Sequence, residues 1–311
     1  MMWTLVLAAA LASPSPAAER ELPAGPGGVL RGALLQPASD EAATVIIIPG
    51  SGATDRDGNN ALGRPGSYKL LAEALAERGI ASVRIDKRGM FTSAAAGDPN
   101  RASISRYAED MKAWVAAARS ATGARCVWLA GHSEGGVVAL ASVSQPGVCG
   151  LVLLATPGRR LGDTIRQQLR DNPANAPLLA QAEGILDELE AGRRVDALAI
   201  PPVLMGLFRP EVQDYVIDLL RQDPAAMARG TARPILVVQG GHDIQVTGAD
   251  ADALSAARPG IVRADFPAMG HMLKDAPADR AGNLASYADT ARPLTAGLAD
   301  RIAAFVTEKR K

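Results

Sequence analysis

Thr44-Val45-Ile46-Ile47-Ile48 carries a β-branched side chain at every position, so a strand built from it has no face suited to water. Such a strand needs cover on both sides, and the rest of the chain offers it. Further strands are predicted at Val29–Leu35, Ile80–Ile85, Cys126–Ala130, Gly150–Ala155, Pro234–Gln239 and Ile261–Phe266. Between them lie stretches of helical periodicity: Tyr68–Arg78, stopped by Gly79; Ser105–Ser120, with Ser105 as N-cap and Glu109 and Asp110 in the first turn; Glu134–Ser144; Ala249–Ala257; and a closing helix at Leu294–Thr307. Strands alternating with helices imply right-handed crossovers and a mostly parallel sheet with helices on both faces. Residues 159–230 break the rhythm. Helical stretches at Leu161–Arg170, Leu178–Ala191 and Pro210–Arg221 alternate there with prolines, as in a helical insertion between two strands. The expected division is a core of residues 19–158 and 231–311 with a helical cap at 159–230.

Residues 1–18 have the form of a secretory signal peptide: an apolar run from Leu5 to Ala12, then Ser15 and Ala17 at the −3 and −1 positions, although no Lys or Arg precedes the run. A periplasmic or secreted location is therefore expected. The run is too short to span a bilayer, so no stable membrane insertion is expected. Thirty-three basic residues balance 33 acidic ones, leaving no general attraction to nucleic acid. Two cysteines are too few for a disulfide-built scaffold or a Cys₄ zinc site.

Gly131-His132-Ser133-Glu134-Gly135 lies between a predicted strand and a predicted helix. Gly-x-Ser-x-Gly in that setting is a nucleophile elbow: the turn is sharp, the serine backbone strained, and its neighbours two residues away must be small. The backbone N–H of Glu134, at a helix N-terminus, points toward a reacting carbonyl oxygen. A serine nucleophile needs a base, and only His132, His242 and His271 are present. His132 lies inside the elbow and cannot reach its own neighbour. Asp243 and His271 both follow predicted strand ends, where sites form in an open parallel sheet, so Ser133, Asp243 and His271 are the candidate triad. A metal site using His132, His242, Asp243 and His271 lacks any closely spaced ligand pair, and no metal or organic cofactor is expected.

After Ile48 the chain reads Pro49-Gly50-Ser51-Gly52-Ala53-Thr54-Asp55-Arg56-Asp57-Gly58, and after Ile85 it reads Asp86-Lys87-Arg88-Gly89. With the elbow, Asp243 and His271, these segments resemble the α/β-hydrolase superfamily. They are most similar to bacterial carboxylesterases and serine-aminopeptidase-like hydrolases whose loop reads Gly-Ser-Gly-Pro-x-Asp-Arg-Asp-Gly. The resemblance implies an eight-stranded, mostly parallel sheet, a variable cap, and an oxyanion hole from the backbone N–H groups of Ser51 and Glu134. It implies hydrolysis of a small-molecule carboxylic ester through an acyl-enzyme. A peptidase or amidase, a thioesterase or acyltransferase, and a non-catalytic binding module are the alternatives. The chain departs from the pattern at Pro49, where relatives carry His, at Ala53 in place of Pro, and at Phe91 in place of a second glycine. Arg56 and Arg88 either clamp a substrate carboxylate or hold the loops by pairing with Asp55, Asp57 or Asp86; the loop-holding role is favoured.

Two further expectations concern packing. The insertion is expected to line an apolar acyl pocket with Leu204, Met205, Leu207 and Phe208. Cys126 lies seven residues before Ser133 and Cys149 seven before Thr156, at matching offsets on consecutive strands. They either bridge neighbouring strands near their starts or remain two small buried apolar groups.

Overall fold

The β-branched run forms β3 (Thr44–Ile48), buried at every residue, with β4 (Ala81–Ile85) and β5 (Val127–His132) parallel on either side. The structure is a computed structural model that describes residues 17–37, 43–61 and 63–309. The parallel series continues through β6 (Val148–Leu154), β7 (Ile235–Gly240) and β8 (Val262–Phe266). At the other edge β2 (Leu30–Gln36) runs antiparallel to β4, and β1 (Ala18–Ala24) antiparallel to β2. The order is β1-β2-β4-β3-β5-β6-β7-β8, the eight-stranded, mostly parallel sheet expected. The expected signal peptide lies outside the described residues apart from Ala17 and Ala18, and Ala18 already belongs to β1.

Two apolar layers cover the sheet. On one face α2 (Ile104–Thr122) and α3 (Glu134–Ser142) pack over Ile46, Ile48, Leu129 and Leu151. On the other, α1 (Ser67–Ala76) and α11 (Leu298–Glu308) cover Val45, Ile47, Trp128 and Val238, with Trp128 edge-on to Phe305. Between β7 and β8 runs α9 (Gly248–Ala256); α10 (Arg280–Ser286), not anticipated, follows β8. The N-cap of α2 is Ser103 rather than Ser105: its hydroxyl accepts the Arg106 N–H at 3.1 Å, and Ser105 only hydrogen-bonds to it.

Residues 159–230 hold α4 (Leu161–Arg170), α5 (Leu179–Glu190), α6 (Met205–Phe208), α7 (Gln213–Leu220) and α8 (Pro224–Arg229), with no strand among the described residues. The segment leaves the sheet at the carboxyl end of β6 and returns along α8, whose Arg229 donates to the Ala257 carbonyl at the end of α9. Two bonds hold its earlier part at the carboxyl end. Gln168 donates to the Gln245 carbonyl beyond β7 at 2.8 Å, and Asp218 accepts the first N–H of α2 at 2.7 Å.

Cys126, just before β5, is disulfide-bonded to Cys149 of β6, with Cα atoms 5.3 Å apart. Val127 pairs with Val148 and Trp128 with Gly150, so Cys149 is the extra residue of a bulge. The bond closes a loop of 23 residues in sequence separation, which corresponds to about 3 kcal/mol of stabilisation in the chain-entropy account. Thiol titration in denaturant without reductant should find no free thiol. Replacing both cysteines by Ala should lower the urea-unfolding free energy by about that amount.

Candidate active site

Ser133 sits between β5 and α3 at φ 53°, ψ −124°, a conformation that costs a non-glycine residue roughly 1–3 kcal/mol. The surroundings enforce it. A Cβ on Gly131 would lie 2.1 Å from the Gly135 carbonyl oxygen, and one on Gly135 would lie 2.3 Å from that of Ile48. The helix can start this close to the ends of β5 and β3 only because both positions are glycine. The Ser133 N–H is tied to the Leu154 carbonyl at 2.8 Å.

The loops after β7 and β8 lock together, with His242 N–H donating to the Met269 carbonyl at 3.0 Å. This brings Asp243 to His271: the Nδ1–H of His271 donates to Asp243 Oδ2 at 2.8 Å. The other carboxylate oxygen accepts the backbone N–H groups of Gln245 and Val246 at 2.8 and 2.9 Å. Both side chains are buried. An acceptor at Nδ1 leaves Nε2 as the basic nitrogen, directed to a proton from elsewhere. His242 has structural partners instead: its Nδ1 bonds the Ala276 carbonyl at 2.6 Å.

Ser133 and His271 open on one cavity of about 270 Å³. Gly50, Ser51, Thr54, Asn60, Ser67, Tyr68, Gln245 and Met272 contribute to its walls, and among the described residues no acidic or basic side chain other than the two histidines does. Gly50 approaches so closely that a Cβ on it would touch Ser133 Cβ at 3.4 Å. Among the described residues neither the Ser51 N–H nor the Glu134 N–H has a protein acceptor. Glu134 opens α3, where the first amides have no partner within the helix.

The expected acyl-pocket residues lie elsewhere. Phe208 and Leu204 are buried in the apolar interior shared by the insertion and the core, Met205 packs against it, and Leu207 is 38% exposed; none lines the cavity. The insertion consumes its own large apolar side chains in holding its short helices together. Arg56 and Arg88 also stay away from the cavity and hold loops, through partners other than those expected: Arg56 pairs with Glu21 at 2.7 Å and Arg88 with Asp110. Asp57 pairs with Arg84, and Asp86 accepts the Arg56 N–H. Phe91, standing in place of a glycine, has φ 47°, the left-handed backbone a glycine adopts without strain.

Sequence reasoning set His132 aside, yet it organises the site. The His271 carbonyl can only accept, so the neutral His132 ring carries its proton on Nε2. Its Nδ1 accepts the Tyr68 hydroxyl proton, 2.7 Å away, while that hydroxyl accepts the Gly50 N–H at 3.1 Å. His132 Nε2–H then donates to the His271 carbonyl at 2.8 Å. Burial, reinforced by the neighbouring His271, lowers the His132 pKa to about 3. The unfolded chain, with a histidine pKa near 6.5, takes up a proton that the folded chain refuses, so His132 lowers stability as pH falls from about 6.5 toward 3. Between about pH 6.5 and 4.5 the loss should be about 2 kcal/mol. Urea unfolding at both values should show a drop in the parent that is smaller by about this amount in His132→Gln.

The fold agrees with comparisons to known proteins. The family description "Serine aminopeptidase, S33" matches residues 63–170, a stretch that includes Ser133. Esterase EstD of Thermotoga maritima is 29% identical over 207 residues, 66% of this chain. The match covers 48% of that protein, about half its length. Among solved structures, Est1E from Butyrivibrio proteoclasticus with ferulic acid bound superposes with TM-score 0.56 at 16% identity, covering 90% of this chain and 94% of that one. Proline iminopeptidase from Mycobacterium smegmatis gives 0.55 at 17% identity, covering 94% and 98%. With an elbow between β5 and α3 and an Asp–His pair joining the loops after β7 and β8, the chain has the α/β-hydrolase fold.

Proposed function

We propose that the protein hydrolyses carboxylic esters with a small, uncharged acyl group, through a covalent acyl-enzyme on Ser133. The observation that carries this reading is the hydrogen-bonded Asp243–His271 pair opening with Ser133 on a cavity beside two acceptor-free amides. His271 Nε2 takes the Ser133 hydroxyl proton as Oγ attacks the ester carbonyl. Asp243 holds the ring in the required tautomer and stabilises the imidazolium. The N–H groups of Ser51 and Glu134 bind the oxyanion. Collapse of the tetrahedral intermediate breaks the ester C–O bond, and His271 returns the proton to the leaving alcohol. Water, deprotonated by His271, then releases the acid and restores Ser133.

An aminopeptidase must recognise a free ammonium group. The cavity walls carry no carboxylate among the described residues, which favours a neutral ester. The insertion, held at the carboxyl end of the sheet by Gln168 and Asp218, serves in this reading as a cap. Export is part of the same proposal. It is supported by the signal-like segment at residues 1–18 and by the Cys126–Cys149 bond, a feature of oxidising compartments.

A p-nitrophenyl ester series from acetate to palmitate should show kcat/KM highest for the shortest chains; a maximum at palmitate would contradict the small-acyl reading. Ser133→Ala should fold and lose roughly 10⁴-fold or more in kcat, and a variant near parental activity would refute the mechanism. Asp243→Asn should lose about 10⁴-fold by favouring the wrong His271 tautomer. His242→Gln should lose far less, and the reverse order would reassign the acid.

A further inference from the structure

One buried ionic group beside the nucleophile has no part in the triad. Lys87 follows β4, and its side chain is 3% exposed. Its Nζ donates to the Gly50 carbonyl at 2.6 Å and stands 3.6 Å from Glu134 Oε1, whose side chain is also 3% exposed. Neither Glu134 carboxylate oxygen makes a hydrogen bond among the described residues. Tyr107 and Tyr215 enclose the pair: Nζ lies 5.6 Å from the Tyr107 ring centre, and the two rings meet edge to face at 6.3 Å. Taking two charges out of water costs several kcal/mol each, and a well-packed apolar pair is often no less stable. Stability alone gives little reason to bury a lysine and a carboxylate with this geometry.

The position of the lysine supplies a reason. The Gly50 carbonyl and the Ser51 N–H belong to one planar trans peptide and point in opposite directions. Fixing the carbonyl therefore fixes the direction of the amide. The Gly50 N–H, one peptide earlier, is held by the Tyr68 hydroxyl at 3.1 Å. Lys87 thus completes a two-point clamp on the residue before Ser51. A cationic donor on the carbonyl also polarises the peptide and strengthens its N–H as a donor. The carboxylate partner belongs to Glu134, whose backbone N–H is the second amide beside Ser133. We propose that Lys87 is a positioning residue for the oxyanion hole, aiming and polarising the Ser51 N–H through the Gly50 carbonyl, and that the Glu134 carboxylate holds Lys87 there. This inference rests on the reading of Ser133 as an acyl-accepting nucleophile.

The test compares the parent with Lys87→Met, which leaves Glu134 unpaired, and with Lys87→Met/Glu134→Gln, which removes both charges. Folding is followed by thermal unfolding. The kinetic readouts are kcat and KM on p-nitrophenyl acetate and the Ki of an alkyl trifluoromethyl ketone, whose serine adduct carries an oxyanion. The folded double variant should lose about tenfold to hundredfold in kcat, less than deletion of a whole oxyanion donor. KM should stay within about twofold, and the ketone Ki should rise by the same factor as kcat falls. Parental kcat and Ki in a folded variant would overturn the proposal and leave the Ser133 mechanism standing. So would a fall in kcat with unchanged Ki. Failure of both variants to fold would overturn it as well, because the pair would then serve the fold rather than the amide. A parent that neither hydrolyses the ester nor binds the ketone would overturn the hydrolase reading and this inference together.

Discussion

The first turn of α3 touches the ends of β5 and β3 with no side chain between, and the rest of the site depends on that contact. Gly135 lies so near the Ile48 carbonyl that even a methyl group would collide with it, and Gly131 is as tightly packed against Gly135. The turn is held in strain at Ser133, φ 53°, because packing on both sides over-determines it. One consequence is geometric: the serine is lifted off the sheet at the strand ends. Another is electrostatic: the unpaired amides at the start of the helix face the space beside the hydroxyl. The same closeness brings the loop after β3 against Ser133, where a Cβ on Gly50 would meet Ser133 Cβ at 3.4 Å.

That loop has little secondary structure to hold it, and its order comes from side chains reaching in from other elements. Asp55 accepts the Asp57 and Asn59 N–H groups, Asp86 accepts that of Arg56, and Tyr68 accepts that of Gly50. Lys87 takes the Gly50 carbonyl. The acidic and basic residues that make this segment look like a charged binding loop are almost all spent on internal bonds. Among the described residues this leaves the cavity walls without a carboxylate, lysine or arginine.

Much of this was legible in the sequence, for identifiable reasons. The β-branched run at 44–48 had no alternative to a central strand. With only three histidines, and with Asp243 and His271 each just past a strand, few combinations remained; the structure joins those two by a hydrogen bond. What escaped reading depends on contacts between residues far apart in the chain. Strand β1 (Ala-Glu-Arg-Glu-Leu-Pro-Ala) is an exposed edge with three charged residues and no β-branched one, and nothing local marks it. The partners of Arg56 and Arg88 are 35 and 22 residues away, beyond any local rule. The apolar residues 204–208 have the composition of a pocket wall, but composition does not tell a wall from the core of a small helical insertion, and Phe208 has no exposure at all.

His132 shows how the second histidine at the site serves the first. The two rings lie 4.7 Å apart, tilted by 50°. If His132 carried a proton on both nitrogens, its charge would oppose the imidazolium that the proposed mechanism forms on His271. The hydrogen-bond chain prevents it. The His271 carbonyl requires the proton on Nε2, and Nδ1, left as acceptor, takes the Tyr68 hydroxyl proton. The ring is held neutral, and as a neutral ring it fixes the backbone of His271 from one side while Asp243 fixes its side chain from the other. The His271 carbonyl thus sets the tautomer of His132, and the Tyr68 hydroxyl ties that ring to the backbone of Gly50.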